Sequence, residues 1–421
     1  MYTKICACRV CGNTNLETIM DLGIQKLTGI FPLPGKEVSE GPLELVKCVN
    51  NQEGGKTCGL VQLRYSCDSS EMYGDNYGYR SGLNSSMVEH LEKITDQIKS
   101  KITLIKGDLV VDIGSNDSTL LKSYGIDELD YIGMDPSGWK FKKYYPDYVE
   151  LIPDFFSAEN LIKVRPDKKA KVVTSIAMFY DLERPIDFAK DVCSILDNDG
   201  IWVLEQSYLP AMLEAKAYDT ICQEHLEFYC LAQIEWIMNA ADLKIIDAVQ
   251  NDINGGSFKI TVAKKTSKWE EDYSVQRMRL YEKDGKFDAL STYKFFESET
   301  ARCRDELLRF IDKAKREGKK VYGYGASTKG NVMLQYCGLG KEDIIAIAEV
   351  NEDKFGHVTP GSNIPIVSEM EAKQGNPDYF IVLPWHFKDN ILRKEKEYME
   401  QSGCAFVFPL PEFHIVGERE A

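Results

Sequence analysis

Residues 108–121 read DLVVDIGSNDSTLL, and this stretch decides the fold. Its apolar run, 109–113, has the length and β-branched content of a buried strand. Asp112 stands near the strand end, Gly114 makes the turn, and Ser115, Asn116 and Asp117 lead into the helical segment STLLKSYG. Glycine lets backbone turn tightly and approach a ligand closely. The next apolar run, YIGMD (131–135), ends in Asp135, 23 residues beyond Asp112. KVVTSIAM (171–178), GIWVLEQ (200–206) and LKIIDAV (243–249) read as further strands, and GSFKITVAKK (256–265) as the last. Helical segments such as IDFAKDVCSIL (186–196) lie between them. Strands alternating with helices predict an α/β fold with a mainly parallel, doubly wound sheet.

The turn also restricts the cofactor. It lacks the GxGxxG pattern of a dinucleotide site. Acidic neighbours suit S-adenosylmethionine, which carries a sulfonium cation and an amino-acid tail but no phosphate. Asp112, Gly114, Asn116 and Asp117 are the expected turn contacts, and Asp135 is placed to accept from the ribose hydroxyls. Phe155 or Phe156, in PDFFSAEN, is expected against the adenine, with core packing the alternative. Met178 and Tyr180 follow a central strand and are expected at the cofactor cleft.

Working toward the N-terminus, the helical stripe Met87, Leu91, Ile94, Ile98 precedes the first strand. Before it, residues 1–70 are rich in Cys, Gly and Pro, and FPLPG (31–35) cannot be helix interior. Cys8 and Cys11 form a C-x-x-C pair before Gly12; Cys48 and Cys58 form a wider pair before Gly59. Four thiolates on two turns suit a closed, structural Zn2+ site, and a head this small gains folding energy from a metal. Cys6 and Cys67 are spare candidates.

Toward the C-terminus, residues 266–318 are charged and mostly helical, a spacer. A second α/β pattern follows: KKVYGYGAS, DIIAIAEV, DYFIVLP and AFVFPLP. The expected organisation is a zinc-binding domain (1–70), an S-adenosylmethionine-binding domain (71–265), the helical spacer (266–318) and a C-terminal domain (319–421). The net charge of −15, with no basic block, argues against a nucleic-acid partner. No long apolar run predicts a membrane span, and the N-terminus is unlike a signal peptide, so a cytoplasmic protein is expected. The oligomeric state is left open, a monomer included.

Several segments together resemble one family. They are CRVCG (8–12), YGYRSGLN (77–84), VVDIGSNDSTLL (110–121), AMFYDLERP (177–185), LEQSYLP (204–210), YDTICQEHLEFY (218–229), NDINGGSF (251–258), YGASTKGN (324–331) and VLPWHF (382–387). In this order they resemble the sugar C-methyltransferases, typified by C-3′-methyltransferases of deoxysugar pathways. The resemblance implies a zinc-binding head and two Rossmann-like domains, central and C-terminal. It implies a nucleotide-linked 4-keto-deoxysugar held between the latter two. It also implies that Glu224 and His225 lie at the reacting carbon. Ser118, Cys222-Gln223 and the segment MFYDLE depart from the usual family pattern.

The chemistry agrees with those residue types. A carbon beside a ketone becomes a nucleophile once a base near neutrality removes its proton. The chain has five histidines, and His225 beside Glu224 is the candidate base. Tyr77 and Tyr79 are candidate donors to the keto oxygen. Ser327, Thr328, Lys329 and Asn331, at a helix start, are expected to hold the diphosphate. Glu349 is expected on a ribose hydroxyl, and Trp385 and His386 near the nucleotide. The rival readings are sugar O-methylation, a non-catalytic zinc-bearing binding protein and, last, a dehydrogenase.

Overall fold

The computed structural model describes residues 2–50, 57–72, 80–126 and 128–417. Among these, the strands form four sheets. The head contains β1 (Tyr2–Lys4), β2 (Leu16–Lys26), β3 (Glu40–Cys48), β4 (Val61–Leu63) and β5 (Tyr65–Cys67). β1 pairs with β5, while β2, β3 and β4 form an antiparallel sheet.

The central domain begins with the helix Ser85–Lys101, capped by the Asn84 side chain on Ser86 N. The stripe read from the sequence, Met87, Leu91, Ile94 and Ile98, is its buried face. Then come β6 (Leu109–Ile113), β7 (Asp130–Met134), β8 (Val149–Ile152), β9 (Ala170–Ile176) and β10 (Leu196–Ser207). A two-residue strand, β11 (Glu227–Phe228), leaves this domain and adds to the head sheet beside β4. β12 (Leu243–Asn251) and β13 (Ser257–Lys264) complete the central sheet. Its order is β12-β13-β10-β9-β6-β7-β8. β6 to β10 run parallel, and β13 runs antiparallel between β10 and β12. The chain order reverses between β6 and β9, so a crevice opens beyond their C-terminal ends, where ligands bind in open α/β sheets.

The C-terminal sheet contains β14 (Val321–Tyr324), β15 (Ile347–Glu349), β16 (Ile366–Ser368), β17 (Tyr379–Val382), β18 (Ala405–Phe408) and β19 (His414–Val416). Its order, β16-β15-β14-β17-β18-β19, is again doubly wound, with only β19 antiparallel. The charged stretch expected as a spacer is not a free connector. The helix Leu290–Arg316 buries Tyr293, Phe296, Cys303, Leu307, Phe310 and Ile311. These join one apolar core with Leu22, Leu43 and Val61 of the head and Ile347, Phe380 and Phe406 of the C-terminal sheet. The head thus completes its core by borrowing that of the C-terminal domain. No helix among the described residues is long and apolar enough to cross a membrane.

Candidate active site

The head places the sulfurs of Cys8, Cys11, Cys48 and Cys58 within 4.8 Å of one another. Cys8 and Cys58 approach to 3.5 Å, as do Cys11 and Cys48. The Cys48 thiol, then those of Cys58 and Cys8, hold Cys11 well below the usual thiol range. Four soft donors at this spacing fit Zn2+. Cys6 is exposed and Cys67 packs with Tyr2 and Leu27, and neither joins the tetrad.

At the cofactor turn, Gly114 takes φ +76°, and a Cβ there would meet Met178 Cγ at 3.3 Å. Asp135 lies at the end of β7. Its Oδ2 accepts from Asn116 N at 2.8 Å, and its Oδ1 from Ser137 N and Oγ, both at 2.6 Å. Asp112 instead faces the next strand, accepting from Thr174 Oγ1 at 2.6 Å; burial first, and Asp135, push it up to about 7. Asn116 Oδ1 accepts from Ser81 N at 2.9 Å and Asp117 Oδ2 from Gly82 N at 3.1 Å. These two side chains therefore hold down the segment that follows Tyr77 and Tyr79, which themselves lie outside the described residues. Ser118 Oγ is buried at the turn without a hydrogen-bond partner among the described residues. Phe155, after the edge strand β8, is 54% exposed, whereas Phe156 packs edge-on against Phe188. The glycine turn, the acid, the orphaned hydroxyl and an uncovered aromatic ring fit S-adenosylmethionine.

The loop 218–226 carries the candidate base. His225 Nδ1 lies 2.9 Å from the Thr220 carbonyl. A carbonyl only accepts, so Nδ1 carries the proton, and in the neutral ring Nε2 keeps its lone pair. Tyr180 packs against the ring at 4.3 Å between centroids, with the two planes tilted by 57°. Burial, then the charge of Lys329, push the imidazole down to about 4, against the Thr220 carbonyl. Glu224 Oε2 is buried without a hydrogen bond among the described residues, and burial pushes the carboxyl up.

The C-terminal domain reaches the same loop. Lys329 Nζ donates to Asn254 O at 2.6 Å; burial lowers its pKa, and Asp219 and Cys222 oppose that. Trp385 Nε1 donates to Asp219 Oδ2 at 2.8 Å. His386 is pushed down to about 3 by burial and by Lys329, and its Nδ1 is buried without a partner among the described residues. Lys329, Trp385 and His386 therefore stand beside the base loop. Ser327, Asn331 and Glu349, also expected on the nucleotide, make hydrogen bonds within the protein. Ser327 Oγ caps the helix Thr328–Cys337, accepting from Gly330 N at 3.0 Å. Asn331 Nδ2 donates to Thr28 O at 2.7 Å. Glu349 accepts from Ala326 N at 2.9 Å, Val350 N at 2.7 Å and Asn351 N at 3.0 Å. Thr328 begins the helix, with its Oγ1 facing Gly29.

Sequence reasoning missed Glu205, Gln206, His90 and Asn254. Glu205, Gln206 and Asn254 line a narrow cleft of about 10 Å3 with Tyr180, room for about one water as it stands, and His90 backs Glu205 at 2.6 Å. The signal was present: two polar residues closing the apolar run of GIWVLEQ point into a site more often than into a core. A larger cavity, about 900 Å3, lies against β16 and is lined by none of the expected residues.

The sheet order and the glycine turn suit an S-adenosylmethionine-binding α/β domain, and comparison with known proteins makes the chain an S-adenosylmethionine-dependent methyltransferase. Three family profiles match in chain order: a zinc binding domain (residues 8–73), a methyltransferase domain (87–248) and a C-methyltransferase C-terminal domain (252–411). The C-methyltransferase NovU of Streptomyces niveus is 30% identical over 97% of this chain and 96% of its own length. The chain belongs to the C-methyltransferase family of NovU, and its cofactors are S-adenosylmethionine and zinc. Partial likenesses extend to two solved structures. They are the mitomycin 7-O-methyltransferase MmcR (10% identity, 43% of this chain and 55% of that chain, TM-score 0.35) and the plantazolicin methyltransferase BpumL with SAH (13% identity, 44% and 87%, TM-score 0.35).

Proposed function

We propose that this C-methyltransferase acts on a nucleotide-linked 4-keto-deoxysugar, with His225 as the base that removes the proton beside the ketone. One observation carries the reading: the Thr220 carbonyl fixes the Nδ1–H tautomer, so the free Nε2 of a neutral imidazole is the proton acceptor. Tyr180, packed at a tilt against the ring, braces it from one side. Glu224 lies beside the base, its carboxyl pushed up by burial, and is the proposed hydrogen-bond partner of the sugar. Tyr77 or Tyr79 as donor to the keto oxygen rests on the sequence argument alone.

The Gly114 turn, Asp135 and Phe155 are the residues proposed to hold S-adenosylmethionine, which when bound supplies an electrophilic methyl group. Cys8, Cys11, Cys48 and Cys58 are the proposed zinc ligands; four sulfurs leave no open position, so the metal is structural. Lys329, Trp385 and His386, with the start of the helix Thr328–Cys337, are the proposed contacts to the nucleotide diphosphate.

The test is solvent-deuterium exchange. With S-adenosylhomocysteine in place of the donor, the protein is expected to exchange the proton beside the ketone of a 4-keto-6-deoxyhexose nucleotide. His225→Ala is expected to lose that exchange and still bind both ligands. Exchange that persists in the variant assigns the base elsewhere. Methyl transfer to a hydroxyl without exchange favours O-methylation.

A further inference from the structure

β10 ends in Glu205, Gln206 and Ser207, and all three line the one narrow cleft. Glu205 is committed. Its Oε1 meets His90 Nε2 at 2.6 Å, and its Oε2 accepts from Asn251 Nδ2 at 2.8 Å. Gln206 is not committed: it is 1% exposed, and neither its amide oxygen nor its nitrogen has a hydrogen-bond partner among the described residues. A buried amide with both ends unpaired is strongly disfavoured, so a native one calls for a partner. Gln206 lines the same cleft as Tyr180 and Asn254. Tyr180 packs at a tilt against His225, and Asn254 accepts from Lys329 through its carbonyl. Asn254 and Ala177, also on that cleft, both hold φ +54°, in the left-handed region. The cleft is therefore bounded by fixed groups on the base side of the site. The cofactor turn and Asp135 lie on β6 and β7, with β9 between β6 and β10.

We propose that Gln206 determines which acceptor the enzyme takes, by donating to and accepting from hydroxyl groups of the sugar ring beside the carbon that receives the methyl. This rests on the keto-sugar reading above. A primary amide offers a donor and an acceptor side by side, the complement of a hydroxyl. It is also uncharged, so it reads the sugar without adding a further charge beside Glu205. The Glu205–His90–Asn251 group fixes the strand end that presents it.

The probe is thymidine diphosphate 4-keto-6-deoxyglucose with the full-length protein. Deuterium uptake and methylation by the unmutated protein are scored first. If neither occurs, the keto-sugar reading fails and this proposal fails with it. Where they occur, Gln206→Leu is expected to raise the KM for the probe about tenfold or more, while S-adenosylhomocysteine affinity stays within about twofold. That retained affinity also shows that the variant is folded. Unmutated protein and variant are expected to converge on the analogue lacking the hydroxyl next to the reacting carbon. An unchanged KM overturns the proposal. So does an equal loss of S-adenosylhomocysteine affinity, which would place Gln206 on the donor, and so does a KM difference that persists on the deoxy analogue.

Discussion

Gly29 of the head and Glu224 of the base loop meet so closely that a Cβ on Gly29 would lie 2.0 Å from Glu224 Oε1. The same Cβ would lie 3.8 Å from Thr328 Oγ1 of the C-terminal domain. All three domains converge on this point. Around it, Thr28 Oγ1 donates to Gln223 Oε1 at 3.0 Å, and Asn331 Nδ2 donates to Thr28 O at 2.7 Å. Lys26 N donates to Gln335 Oε1 at 2.7 Å. The glutamate beside the base is therefore held in place by a strap from the head, tied to a helix of the third domain.

Gly29→Ala tests that strap. The methyl must displace the Glu224 carboxyl, and small misplacements at a reacting centre are expensive in rate. kcat for methyl transfer is expected to fall about tenfold or more, with zinc content and S-adenosylhomocysteine affinity retained. An unchanged kcat would show that the position of Glu224 does not matter to the reaction.

Zinc is expected to matter for the base although it is not at the base. Arg9 stands between Cys8 and Cys11. It donates to Leu63 O at 2.7 Å and Ser66 Oγ at 2.7 Å, and its Nε lies 3.9 Å from Glu227 Oε1. Leu63 N in turn bonds Leu226 O at 2.9 Å, one residue past His225. Cys58→Ser is expected to lose zinc, lower the melting temperature and reduce methyl transfer about tenfold or more, the usual scale for disturbing a metal's surroundings. Metal analysis and calorimetry check it. A variant with full zinc and unchanged melting temperature would remove Cys58 from the ligand set.

Asp135 already accepts hydrogen bonds from Asn116 N and Ser137, so it organises the turn as well as offering its carboxylate to the ribose. Asp135→Ala is expected to weaken S-adenosylhomocysteine binding by about 1–3 kcal/mol, the range for a lost charged hydrogen bond. Titration calorimetry reads it directly. Asp112→Asn, at a residue turned toward Thr174, is expected to change that affinity less. An inverted order would exchange the two roles.

Much of this was legible in the sequence because it repeats or has fixed spacing. The strand ends at Asp112 and Asp135, the Cys8–Cys11 pair and the stripe of the helix Ser85–Lys101 all carry local signals. The Gly29–Glu224 contact does not, because nothing in a single segment records which distant residue it will face. The packing of the stretch 266–318, helical as expected, was hidden for a related reason. The helix Leu290–Arg316 is charged along most of its length, yet its narrow apolar stripe is buried by two other domains. Gln206 was passed over because a polar residue ending a buried strand looks like a strand boundary until its surroundings are known.

The last prediction concerns the acid limb of the rate. The neutral form of His225 is the active one, and burial with the Lys329 charge pushes its pKa from the ordinary 6.5 down to about 4. The sign follows: above about pH 4 the ring stays neutral in the folded protein, so kcat/KM for the free enzyme is expected to hold level through pH 6.5 and fall only near pH 4. Lys329→Gln removes a positive charge that opposes protonation, so the limb is expected to move upward, toward 6.5. A lysine that only grips the diphosphate would raise KM and leave the limb where it was. The structure sets these outcomes apart, because the Lys329 ammonium is buried, donates to Asn254 O and acts on both His225 and His386. A pH profile of kcat/KM for the two proteins, with S-adenosylhomocysteine binding measured at each pH to confirm that they stay folded, decides it. A limb near 6.5 in the unmutated protein, or no movement in Lys329→Gln, would mean that this lysine does not set the basicity of His225.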